Sequence, residues 1–156
     1  MASSSGCVHT RPGKYVAFQI ARRYFVVEAQ RVRTVAPASS LRPLDDGLDL
    51  VKGTVHVNGR ELPVVDLRAR LGLAGKKTRP QASVIVLEVG AKAAPAHVGV
   101  LADKLTDVLE VRERDIRGNV VQLRCAGKPY GRPKLLLDLE RLVTEEELTR
   151  LRALGA

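Results

Sequence analysis

Residues Gly53 to Gly72, GTVHVNGRELPVVDLRARLG, constrain this chain more than any other stretch. Thr54, Val55 and Val57 lead into Asn58-Gly59, and Leu62, Val64 and Val65 lead out. β-Branched residues favour an extended backbone, whereas Asn and Gly both tolerate positive φ. An Asn-Gly pair between two such runs therefore predicts a two-residue β-hairpin. Pro63 removes one backbone donor from the second strand, which places that strand at an edge or at a bulge. Asp66 then opens a short basic helical turn, Leu67–Leu71, closed by Gly72. A lone Asp before such a turn reads as a cap rather than as a catalytic carboxylate.

The same texture of short strands runs through the rest of the chain. Lys14–Ala29 reads as a hairpin whose strands, YVAFQI and YFVVEA, meet at Ala21-Arg22-Arg23. Gln30–Val35 reads as a helical turn ended by Pro37. Further strands are expected at Ala82–Val89, His97–Leu101, Leu105–Arg112, Val120–Cys125 and Lys134–Leu137, with a turn at Glu113–Ile116. Thr144–Leu154 reads as an amphipathic helix, with Thr144 and Glu147 in capping-box spacing and Leu148, Leu151 and Leu154 on its apolar face. Residues 1–14 read as a disordered, Ser- and Gly-containing lead-in. Many short strands with frequent turn signals imply barrels or a sandwich, and the pattern alone does not choose between them.

With five aromatics and no Trp, any core must be built from Val and Leu. No apolar run reaches the ~18–20 residues that span a bilayer, and the first residues lack the apolar stretch of a secretory signal. Two cysteines, Cys7 and Cys125, form neither a disulfide framework nor a metal motif, so a cytoplasmic protein with reduced thiols is expected. The formal net charge of +9 bears on partners rather than on fold. Five cations (Arg68, Arg70, Lys76, Lys77, Arg79) lie in Leu67–Pro80 without an acid, and seven lie between Arg11 and Arg42 against Glu28 alone. Nucleic acid or an acidic protein surface is a legitimate partner for such charge.

No enzyme constellation stands out. His9 sits in the lead-in, and His56 and His97 fall in strands without spaced Cys or carboxylate partners, so neither a metal site nor a cofactor is expected. No nucleophile elbow, P-loop or dinucleotide fingerprint occurs.

The block Gly53–Arg68 resembles the signature of the CheW family, the coupling proteins of bacterial chemosensory arrays. That family reads G-x-x-N-x-R-G, three residues, then P-V-x-D-L-R, and Gly53, Gly59, Pro63, Val64, Asp66, Leu67 and Arg68 match in order and spacing. The likeness extends from Tyr15 to Leu154 through Tyr15–Ile20, Tyr24–Val27, Ser83–Val89, Val98–Asp103, Thr106–Glu110 and Leu135–Leu142. It implies a mostly β fold of two small five-stranded SH3-like barrels, roughly residues 15–75 and 82–142, with short helical turns and a C-terminal helix at 144–154. It also implies a non-catalytic adaptor that holds a methyl-accepting chemoreceptor's cytoplasmic tip and the regulatory domain of a CheA-type histidine kinase. Val100, Leu101, Leu105 and Val108 fall where the family lines its receptor groove. Val32, Thr34, Val35, Gly53, Asn58 and Gly59 fall where its partner contacts are dense. For each apolar residue among these a core role competes with the interface role, because strand apolar positions mostly fill cores.

Two departures from the family bear on the role. Thr34 stands at a position where the family carries Glu, and Asn58 where it carries the Arg expected to pair with that Glu. Losing both charges together is nearly neutral for stability but alters the docking rim. The basic balance is the second departure. Three readings follow: a full coupling protein, a CheW-like accessory adaptor that keeps one partner only, or a basic module using Arg68, Lys76, Lys77, Arg79 and the Arg22–Arg33 cluster on nucleic acid. The scarcity of exposed aromatics for base stacking weighs against the last.

Overall fold

The structure is a computed structural model that describes residues 11–43, 51–68, 70–72, 82–89, 96–138 and 145–154. Strands β1 (Gly13–Ile20) and β2 (Arg23–Glu28) form the first hairpin, and a three-residue 3-10 turn, Ala29–Arg31, leads into β3 (Val32–Pro37). β4 (Arg42–Pro43), β5 (Val51–Val57) and β6 (Arg60–Val65) follow, then β7 (Ser83–Val89), β8 (Ala96–Ala102) and β9 (Lys104–Val111). Four short strands come next: β10 (Ile116–Arg117), β11 (Val120–Val121), β12 (Arg124–Cys125) and β13 (Lys128–Pro129). β14 (Lys134–Leu136) and a C-terminal helix, α1 (Glu145–Leu154), complete the described chain.

The class is mostly β, as the sequence predicts, with two six-stranded sheets ordered β10-β11-β14-β2-β1-β9 and β3-β7-β8-β6-β5-β4. The sheets do not follow the expected division into 15–75 and 82–142. The N-terminal hairpin pairs with β9 and β14, and the second sheet takes strands β3 to β8. The reason lies in β7 and β8, which bury side chains on both faces. Such strands belong in the middle of a sheet, not at the start of a new one, and they lie between β3 and β6.

Three apolar clusters hold the sheets. One lies under the first sheet (Tyr15, Ala17, Val26, Leu109, Val111, Val121) and one under the second, around Val55, Leu62, Val64, Val84, Val86 and Leu101. The largest joins the two sheets, with Phe18, Ile20 and Phe25 from one meeting Val65, Ile85 and Val100 from the other. Phe18 and Phe25 stack at 5.9 Å. Leu151 of α1, 1% exposed, and Leu137 close this central layer.

The Asn-Gly hairpin forms as read: Asn58 and Gly59 have φ of 49° and 79°, and Val57 pairs with Arg60 across the turn. Pro63, however, is not on an edge strand, because β6 runs between β5 and β8. Its ladder with β8 begins at Val64, one residue after the proline, and the β5–β6 pairing is irregular between Val51 and Gly53. The helical turn expected at Gln30–Val35 shrinks to Ala29–Arg31, since Val32, Thr34 and Val35 are β-branched and pair with β7 instead. The strand expected at Val120–Cys125 splits into β11 and β12, where Leu123 O accepts the Tyr130 N–H at 3.0 Å and Gln122 donates to Tyr130 O. The Leu71 N–H reaches Leu67 O at 2.9 Å, the hydrogen bond of the expected turn, and Gly72 has φ 75°. Thr144 and the lead-in before residue 11 lie outside the described residues.

Candidate docking surfaces

Each sheet ends in an edge strand that carries an exposed apolar residue: β9 in the first and β3 in the second. On β9, Leu105 pairs with Phe18 and is half-buried against the central layer. Val108 pairs with Val16 and is 63% exposed. Directly paired residues of an antiparallel ladder share a face, so Val16, Leu105 and Val108 extend the central apolar layer to the surface. Val100 and Leu101, grouped with them from the sequence, are core residues instead: Val100 belongs to the central cluster and Leu101 to that of the second sheet. They sit on β8, which is covered on both faces.

Tyr130 is a surface residue that the sequence reading did not single out. It is 52% exposed and lines a concavity of about 420 Å³ together with Val108, Leu109, Arg112 and Arg124. The available signal was an aromatic inside a Gly/Pro-rich loop, in a chain that has few aromatics to place.

On β3, Val32 packs against the central layer, Thr34 is half-buried and Val35 is 43% exposed. Asn58 and Gly59 are exposed at the tip of the β5–β6 hairpin. Gly53 is buried, and a Cβ there would come within 2.2 Å of Arg42 O. It lets β4 approach β5 and offers nothing to a partner. Beside Thr34, Arg33 is ion-paired with Glu88 on β7. Glu88 also lies 3.9 Å from His97. Burial, then the charges of Arg60 and Arg33, hold the His97 imidazole below its ordinary pKa of 6.5.

That arrangement sets a pH dependence. The unfolded chain protonates His97 more readily than the folded one, so this contribution is intact above about pH 6.5 and is lost as pH falls through the lower folded value. Urea midpoints measured from neutral to mildly acid pH should therefore decline for the wild type. His97→Gln should flatten that decline, and an unchanged slope in the variant would exclude His97 as its source.

Arg68, expected among the basic contacts, is 5% exposed and forms an internal ion pair. Its backbone N–H donates to Asp66 Oδ1 at 3.0 Å, so Asp66 caps the turn as its position suggests. Its guanidinium donates to Asp103 Oδ1 at 2.5 Å, and Asp103 Oδ2 accepts the Ala21 N–H. Arg70 is held by Glu147 of α1, and that bond raises its pKa. The basic stretch thus turns Arg68 inward and ties the exposed Arg70 to α1, so that two of its cations join the signature hairpin to distant elements. Lys76, Lys77 and Arg79 lie outside the described residues. Among the described residues no group of three or more His, Cys, Asp or Glu could hold a metal ion, and no helix is long and apolar enough to cross a membrane.

Comparison with known proteins bears on the whole chain. The family pattern described as a CheW-like domain matches residues 14–147. The chemotaxis protein CheW of Rhizobium meliloti is 30% identical over 102 residues, which cover 65% of this chain and 63% of that protein, just under two thirds of its length. That of Thermotoga maritima is 24% identical over 136 residues, covering 83% and 87%. The crystal structure of scaffolding protein TtCheW from Thermoanaerobacter tengcongensis superimposes with a TM-score of 0.65 at 19% identity over 86% of this chain and 89% of that one. The shared fold, and a family match over nearly all of the described strands, lead to one assignment: this chain belongs to the CheW family.

Proposed function

We propose that this chain is a non-catalytic adaptor of a bacterial chemosensory system, coupling methyl-accepting chemoreceptors to a CheA-type histidine kinase in the cytoplasm. The observation that carries the reading is the CheW-like match from residue 14 to 147. The two edge strands supply surfaces suited to it. An exposed apolar stripe on a sheet edge accepts the apolar face of a receptor helix, and Leu105 and Val108, joined by Val16, form that stripe. Val32, Thr34 and Val35 on β3 supply the surface we assign to the kinase regulatory domain, and the exposed Asn58-Gly59 tip, on strands separated from β3 by β7 and β8, supplies a second contact.

Two observations bear on the alternatives. Burial of Arg68 and the surface pairing of Arg70 with Glu147 weaken the positive field of the stretch that a nucleic acid would contact. Thr34 and Asn58 are both uncharged where the family carries a pair, which favours a one-sided adaptor as the runner-up.

The test is co-elution at moderate salt with a receptor cytoplasmic fragment and with the kinase regulatory domain of the same organism. Binding to both is expected. Receptor binding alone would replace full coupling by the one-sided adaptor. Val108→Asp should abolish receptor binding while leaving kinase binding intact. Because the side chain is largely exposed, folding stability should move by no more than about 0.5 kcal/mol. Receptor binding unaffected by the aspartate would remove β9 from the contact.

A further inference from the structure

A second concavity, of about 400 Å³, opens between the β1–β2 turn, β11 and the start of β14, and shares no residue with the β3 or β9 surfaces. Its floor is apolar: Val120, Pro133 and Leu135. Its rim is cationic: Arg22, Arg23, Arg132 and Lys134. Among the described residues none of these four cations, gathered around one concavity, has a carboxylate within ion-pair distance. The guanidinium of Arg132 lies over the ring of Tyr24, 5.5 Å from its centroid. Lys134 is half-buried and donates to Arg132 O at 3.0 Å. Burial lowers its pKa, and the charge of Asp107 only partly offsets this.

We infer that this pocket binds a small organic phosphate with a flat body, of the nucleotide class. Three arginines and a lysine around one concavity match the multiple acceptor oxygens of a phosphate group, which guanidinium takes in a forked geometry. The volume falls within the range of small-molecule sites, and an apolar floor with few polar groups is their usual lining. Tyr24, with Arg132 layered on it, offers a flat platform on which a base can stack. An anion seated here supplies the counter-charge that the rim lacks and that the half-buried Lys134 most needs.

The test is calorimetric titration of the full chain with guanosine monophosphate and adenosine monophosphate, with pyrophosphate, a glutamate-rich peptide and a short single-stranded oligonucleotide as comparisons. Saturable one-to-one binding of a mononucleotide is expected. Arg23→Ala/Arg132→Ala should weaken it about tenfold or more, the effect of losing charge-assisted hydrogen bonds. Both positions are exposed, so the variant should fold, and an unchanged thermal midpoint would establish that it does. Tyr24→Leu should weaken the nucleotide and leave pyrophosphate unaffected. Four results would overturn the inference: no saturable nucleotide binding, equal binding by wild type and the double variant, pyrophosphate bound as tightly as the nucleotide, or binding confined to the peptide or the oligonucleotide. Val108→Asp should leave nucleotide binding unchanged, which separates this site from the proposed receptor surface.

Discussion

Removing the carboxylate of Asp103 should cost this protein about 3 kcal/mol, because it takes from the buried Arg68 guanidinium its nearest counter-charge and leaves the more distant Asp66, at 3.5 Å, beside it. Arg68 follows β6 in the second sheet, Asp103 lies between β8 and β9 where the chain passes to the first, and Ala21 sits in the β1–β2 turn. Asp103 binds both of the others through separate oxygens, and its own N–H donates to Gln19 O at 2.8 Å. The three residues therefore pin the sheets together beside the central apolar layer. Asp103→Ala should lower the thermal midpoint by on the order of 10 °C. Arg68→Ala should be destabilising as well, and the double variant less so than the two singles summed, since each single removes the other residue's nearest charge partner. Arg68→Met/Asp103→Leu should recover much of the loss, because well-packed apolar groups often replace a buried pair at little cost. Recovery should stay incomplete, since the Ala21 N–H loses its acceptor. Urea denaturation of the four variants reads all of this. Strict additivity of the two singles would mean that the pair does not act as a unit.

Gly53→Ala is the second change expected to be severe. A methyl group at this position would stand 2.2 Å from Arg42 O and 2.9 Å from Arg42 C, and both are backbone atoms that no rotamer change can move aside. The strands must separate, so the pairing of Arg42 with Thr54 and of Pro43 with Gly53 should be lost. A cost of about 1–3 kcal/mol follows from overpacking of this kind. Amide exchange would locate it: protection should fall on β4 and β5 while β1 and β9 keep theirs. Full retention of β4 pairing in the alanine variant would show that the backbone relaxes without penalty. The expected result also separates two explanations of why the signature opens with glycine, since packing alone accounts for this one without any partner.

Sequence alone determined what local chemistry controls. Asn58-Gly59 had to turn because its neighbours are β-branched and only those two tolerate positive φ. Asp66 capped the following turn, and Tyr15–Ile20 and Ser83–Val89 became strands. The family likeness carried the fold class because it rests on residues spread along the chain. The tertiary structure decided what depends on distant partners. β7 and β8 went to the centre of the second sheet because both of their faces needed cover, which a single strand's pattern does not assign to particular neighbours. The same lack of a visible partner made Val100, Leu101 and Val108 look alike in sequence. Burial separated them, leaving Val108 on an open edge and the other two inside. Arg68 read as surface charge because arginine usually is; Asp103, thirty-five residues away, made it internal. Short-range preferences are written in neighbouring residues, whereas the choice between a wet face and a dry one is made by whatever the rest of the chain lays against it.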